Sequence, residues 1–171
     1  MANSLVGDII EIEFTDDYDA TDPTWNVVGK TTDTVEFSPG VETADSRIHS
    51  QFSRVVNAVS ELWEISFSAH VVTGTAQLES LELIDTNNYE LKGYADSRES
   101  DATNPAVKIT AYANEADQSS GTVKWDLGTH DYLIVDGGAG LNVEDYSTRD
   151  ITIYSRVRPI RLEAGGTFPS P

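Results

Sequence analysis

The chain contains no cysteine. Disulfide frameworks, thiolate zinc sites and cysteine nucleophiles are therefore excluded. It is also short of positive charge, with 11 Lys and Arg against 29 Asp and Glu and a net charge of −18. Counterion release from nucleic acid needs cations, so an electrostatic nucleic-acid binder is excluded. The same balance argues against docking on an anionic membrane. Long apolar runs are missing too. The longest clean one is Tyr132 to Val135, far short of a membrane span. The start, Met1 to Asp8, has neither the basic residues nor the apolar run of a secretory signal. Synthesis as a soluble, unprocessed chain is the expectation. Internal repeats and low-complexity stretches are absent.

What is present suits one domain over residues 1–171, since a chain of 171 residues buries a sizeable core without staples. Hydrophobic residues make up 39%, with three Trp, seven Tyr and five Phe, which is too apolar for disorder. The carboxylates are spread along the chain rather than gathered in a tail. In dilute salt such a charge repels itself and weakens the fold. In molar salt the screening length falls to roughly 3 Å and the penalty mostly vanishes. A diffuse, lysine-poor acid load therefore fits a protein of a halophile. It also fits a surface meant to repel another polyanion.

Most of the chain shows the period-2 alternation of short strands. Asp8 to Phe14 sets Ile10, Ile12 and Phe14 against Glu11 and Glu13. Trp25 to Lys30 and Thr34 to Phe37 read as a strand pair, closed by a Ser38-Pro39-Gly40 turn. The clearest strand sets Trp63, Ile65, Phe67 and Ala69 against Glu64, Ser66, Ser68 and His70. Tyr89 to Ala95, Ala106 to Ala113, Thr122 to Leu127, Tyr132 to Val135 and Asp150 to Val157 complete the strands. Helical spacing appears over Gln77 to Ile84, with Thr75 as N-cap. It appears again over Ser46 to Leu62, where Ile48, Phe52, Val55, Val56, Val59 and Leu62 recur at helical intervals. The second segment is read as a helix on the core or as an extended arm meeting another chain, because three β-branched valines are mediocre helix formers. The expected class is mainly β, a sandwich or barrel with one flanking helix and a projecting arm.

The search for chemistry yields little. His49, His70 and His130 read as surface or turn residues, and no nucleophile elbow, zinc-protease motif, phosphate loop or dinucleotide fingerprint occurs. Gly137 to Gly140 is glycine-rich but opens no helix, so a flexible loop is expected there. Asp17 to Asp22 offers alternating oxygen ligands, yet the sixth and twelfth positions of a calcium loop hold Asp22 and Val28 instead of Gly and Glu. An improvised surface calcium site is the rival to a plain polar loop. No pair of the 29 acids is selected as a glycosidase acid and base. The expectation is a protein that is not an enzyme, with no catalytic residue, cofactor or metal.

One signal is of a different kind. Val28 to Ser38 contains Gly29-Lys30-Thr31-Thr32-Asp33 and is followed by Glu42-Thr43-Ala44-Asp45-Ser46. After a variable arm come Leu62-Trp63-Glu64-Ile65-Ser66-Phe67-Ser68 and then Ala76 to Leu81. In order and spacing, residues 25 to 85 resemble the major tail tube proteins of double-stranded DNA viruses with long flexible tails. With the diffuse acidity, the resemblance implies a virus of a halophilic, haloarchaeal host. It implies a virion protein in stacked hexameric rings, whose joined strands line a channel through which DNA passes without specific binding. It also implies tape measure, tail-terminator and tail-tip proteins as partners, with no membrane. The arm, Val41 to Glu61, is expected to contact the next subunit or ring through Ile48, Phe52, Val55, Val56 and Val59. A polar strand face is expected to line the lumen, the candidates being Glu11 and Glu13, or Glu64, Ser66 and Ser68. Arg149, Arg156, Arg158 and Arg161 cluster near the C-terminus and are candidates for carboxylate pairing across an interface, with pairing inside the subunit as the rival. Other virion β-proteins (a tail completion or capsid decoration protein) and a halophilic carbohydrate-binding module are the alternatives. The module would display exposed aromatics, for which Tyr132, Tyr146 and Tyr154 are the loose candidates.

Overall fold

A computed structural model describes residues 9–31, 35–47, 54–70, 81–83, 90, 92–140, 148–163 and 166–169. Among the described residues nine strands are formed: β1 Ile9–Thr15, β2 Asn26–Thr31, β3 Glu36–Arg47, β4 Arg54–His70, β5 Tyr94–Asp96, β6 Ala106–Tyr112, β7 Trp125–Thr129, β8 Tyr132–Gly140 and β9 Thr148–Ser155. Among the same residues a short helix, α1, spans Glu115–Ser120. The pairing path runs β5-β8-β9-β4-β2-β1-β6-β7, with β3 on β4. All strand pairs are antiparallel. The link between β2 and β4 is a single pair, Lys30 opposite His70. The path therefore folds there into two layers, β2-β1-β6-β7 and β3-β4-β9-β8-β5.

The alternation seen in sequence explains the core. Ile10, Ile12 and Phe14 of β1 and Val107, Ile109 and Ala111 of β6 form one inner face. Ile65 and Phe67 of β4, Ile151 and Ile153 of β9, and Tyr132 and Ile134 of β8 form the other. They merge into one buried cluster, the mark of a sandwich. Tyr132, one of the aromatics considered for a sugar platform, is 3% exposed and belongs to this core. Tyr146 lies outside the described residues, and Tyr154 is half-buried.

Three expectations are corrected and one pair of alternatives is resolved. Ser38-Pro39-Gly40 is not a turn: β3 runs through it, with Ser38, Pro39 and Gly40 opposite Glu64, Trp63 and Leu62. Proline is tolerated because β3 has only one strand neighbour among the described residues. Glu36 and Phe37 pair with Ser66 and Ile65 of β4, so they do not form the expected strand pair with β2, and Thr34 lies outside the described residues. The part of Ser46–Leu62 within the described residues is strand, not helix, in keeping with the β preference of Val55, Val56 and Val59. Gly137 to Gly140 belongs to β8, not to a loop, and the register shift between Asp136 and Ala139 accommodates the extra residues. For Gln77 to Ile84, residues 77–80 and 84 lie outside the described set. Within the described part, Leu81 and Glu82 lie in a turn with Glu82 at φ 56. Helix α1 went unforeseen. Its sequence signal was Asn114, whose side chain accepts from the Asp117 amide at 2.9 Å.

The second face of the β1 layer is polar yet buried. Glu11 and Glu13 are 6% and 8% exposed. Each faces a lysine across the ladder: Glu11 meets Lys30 at 2.9 Å, and Glu13 meets Lys108 at 3.1 Å. Thr110 Oγ1 donates to Glu13 Oε2 at 2.7 Å, and Gln118 of α1 donates to Glu11. Lys108 Nζ lies 4.6 Å from the centre of the Trp25 ring, a cation over an aromatic face. Burial, then the charges of Glu13, Glu11 and Asp126, push the Tyr112 phenol up to about 12.

Candidate functional site

Two surfaces are set up by this sandwich. The first is the outer face of the β3-β4-β9-β8-β5 layer. Cross-strand register puts Ser38 beside Glu64, and Glu36 beside Ser66. It continues with Glu64 beside Tyr154, Ser66 beside Thr152 and Ser68 beside Asp150. Glu36, Ser38, Glu64 and Asp150 are exposed, while Ser66, Ser68 and Thr152 are half-buried. Ser66 Oγ donates to Glu64 Oε1 at 3.2 Å. The named β3 and β4 positions and Asp150 and Thr152 of β9 hold carboxylates and hydroxyls, while the same face continues across β8 and β5 with Leu133, Val135 and Tyr94. Of the two candidate faces named from sequence, only this one is open. Glu11 and Glu13 are withdrawn from it by their lysine partners, because a strand face opposite the core is not thereby a wet one.

The second surface is a two-stranded ribbon. Val41 to Arg47 of β3 pairs with Arg54 to Glu61 of β4. β9 joins β4 only from Trp63 to His70, so among the described residues this ribbon has no third strand. It overlaps the arm expected over 41–61, of which residues 48–53 lie outside the described residues. Val55 and Val56 stand opposite Ser46 and Asp45, and Val59 falls at the register shift between Glu42 and Thr43. Ile48 and Phe52 lie outside the described residues. A ribbon of this kind leaves rows of backbone N–H and C=O groups unpaired, which template pairing with another chain.

The arginines divide. Arg156 is spent inside the subunit: it reaches Asp96 Oδ2 at 2.7 Å and Asp131 Oδ1 at 2.9 Å. Arg98 grips Asp131 from the other side at 2.9 Å. Four charges thus tie β5 to the ends of β8 and β9, and interface pairing is withdrawn for Arg156. Arg149 lies in β9 between Ala69 and Ala139. Arg158 and Arg161 are exposed. The Arg156 hydrogen bond holds the Asp96 carboxyl below its usual range. At Asp131 burial pulls upward, but the hydrogen bonds and charges of Arg98 and Arg156 outweigh it and the net shift is downward. Both carboxylates therefore contribute stability in full above about pH 4, the unfolded value, and lose it as pH falls through their lower folded values. Arg156→Met is expected to lower stability by about 1–2 kcal/mol at neutral pH and to flatten acid unfolding below about pH 4, as read by circular dichroism against pH.

The residues tested for chemistry do not converge. Among the described residues no three His, Cys, Asp or Glu side chains are placed to hold a metal ion. In the Asp17 to Asp22 loop, Asp17 Oδ1 accepts from the Asp19 amide and from Asn104 Nδ2, both at 3.1 Å. His130 stacks on Tyr18 at 5.1 Å and meets Phe168 edge-on at 5.5 Å. His70 is a ladder residue of β4, and His49 lies outside the described residues. No protein-family model matches the chain, and no curated protein matches it.

Proposed function

We propose that the chain is a structural virion protein, a tail tube subunit that polymerises into stacked rings around a channel for viral DNA. The observation that carries this reading is the pairing of an open carboxylate-and-hydroxyl sheet face with a strand ribbon that has no third strand among the described residues. The ribbon supplies a reason to assemble, and identical copies supply the complement. At the named β3, β4 and β9 positions phosphates meet carboxylates and hydroxyls rather than Lys or Arg, which makes that part of the face a wall to which DNA does not adhere. The diffuse charge of −18 fits assembly at high ionic strength. A sugar-binding module is less well supported, because Tyr132 is in the core.

Negative-stain electron microscopy of the purified protein in molar salt tests the proposal. Stacked rings or hollow tubes are expected, and a monodisperse monomer at high concentration overturns it. The wall assignment has its own test. Glu64→Lys with Ser66→Lys is expected to leave tube assembly intact but to make the tubes retain double-stranded DNA, with retention falling steeply as salt is raised. If the variant tubes release DNA as readily as the parent, the lumen is lined by another face.

A further inference from the structure

The segment after β9 crosses the edge of β7, where Gly128 donates to the Ile160 carbonyl at 2.8 Å and Ile160 donates back at 2.9 Å. Farther along, Trp25 Nε1 donates to the Gly166 carbonyl at 3.1 Å. Between this segment and the outer side of β6 and β7 opens a cleft of about 450 Å³, a size typical of small-molecule sites. Register sets its floor. Lys108 stands opposite Gly128, and Asp126 stands opposite Thr110, so Lys108 and Asp126 are diagonal neighbours on one face of the ladder. Lys108 is 8% exposed. Glu13 Oε2 and the Trp25 ring hold its ammonium in place, and a Cβ on Gly166 would come within 3.3 Å of Nζ. Glycine at 166 thus keeps a side chain off the ammonium. The segment after β9 adds Arg161 and Glu163, both exposed. Val123, Trp125 and Leu162 supply apolar surface.

We infer that this cleft binds a small zwitterion, an α-amino acid with an apolar side chain. Its carboxylate is taken by Lys108 and Arg161 and its ammonium by Asp126 and Glu163, while its side chain lies against Val123, Trp125 and Leu162. Charge balance selects the class. A plain anion would face two carboxylates, and a plain cation would face two basic groups. A ligand carrying both signs satisfies all four. Spacing selects the α-amino acid. Diagonal neighbours on a ladder stand about 7–8 Å apart, so long side chains reaching inward from both meet charged groups separated by a single carbon. Lys108 is already buried and oriented by Glu13 before a ligand arrives, which lowers the ordering cost of binding. The cleft lies on the β6–β7 side, not on the β4 face proposed as the channel wall, so this inference does not depend on the tube reading.

Isothermal titration calorimetry of the full-length protein with L-leucine tests the assignment. Saturable binding is expected, with a Kd on the order of 0.1–1 mM. L-Leucinamide lacks the carboxylate and isocaproate lacks the ammonium, and each is expected to bind at least about tenfold more weakly. Arg161→Met is expected to weaken leucine binding at least about fivefold, with the urea midpoint unchanged because Arg161 is exposed. Asp126→Asn is expected to weaken leucine binding and to leave isocaproate binding no weaker. The inference is overturned if leucine shows no saturable binding up to about 20 mM. It is overturned equally if either analogue binds as tightly as leucine, since one sign of charge then suffices. Arg161→Met binding leucine as well as the parent would also overturn it, by placing the leucine elsewhere.

Discussion

Lys108→Met is expected to destabilise the sandwich by about 3–5 kcal/mol, the usual consequence of stranding one partner of a buried ion pair. The side chains of Lys108 and Glu13 are 11% and 10% exposed and 3.1 Å apart. Removing the ammonium leaves a carboxylate facing the Thr110 hydroxyl and little else on that side of the ladder. The change also removes the cation from the Trp25 face. The double variant Glu13→Gln, Lys108→Met is expected to recover most of the loss, because no charge is then left buried and unpaired. Urea unfolding in molar salt, analysed as a double-mutant cycle, measures both. A single-variant loss below about 1 kcal/mol would place the pair among solvated surface bridges.

The second large effect concerns assembly rather than stability. Val55→Asp is expected to abolish tubes while moving the unfolding midpoint little, by no more than about 0.5 kcal/mol in free energy. Val55 lies on the ribbon, opposite Ser46 and beyond the reach of β9. The core cluster includes residues of β1, β4 beyond Trp63, β6, β8 and β9, whereas Val55 sits on the two-stranded part of β3 and β4. Electron microscopy together with sedimentation reads the result. Tubes that persist with this variant would show that the ribbon does not carry the contacts between subunits.

These two predictions draw on different parts of what the chain encodes. The strand residues of the core were legible because period-2 alternation is a local property: Ile10, Ile12, Phe14, Ile65 and Phe67 all fall in the buried cluster. The ribbon was harder. Ile48 to Leu62 shows helical intervals, but β-branched residues and a twelve-residue partner strand prevail over periodicity. The Ser38-Pro39-Gly40 signal was misleading for a related reason, since a proline stops a strand only where the missing N–H is needed.

The candidate wall shows the same division most clearly. Glu11 and Glu13 look identical to Glu64 in a one-dimensional pattern, each a carboxylate between apolar neighbours. The partner across the ladder separates them. Lys30 and Lys108 stand opposite the first two, whereas Ser38 and Tyr154 flank Glu64. The amino-acid sequence by itself determined composition, the acidic surface, the absence of cysteine chemistry and which residues share a strand face. Only the tertiary structure decided which polar face is covered, that Arg156 is consumed within the subunit, and that the segment after β9 closes the β7 edge. Alternation along a strand is set by the pleat. Solvent reaches one face and not the other according to what the rest of the chain lays over it, and those contacts join residues as far apart in the chain as Tyr18 and Phe168.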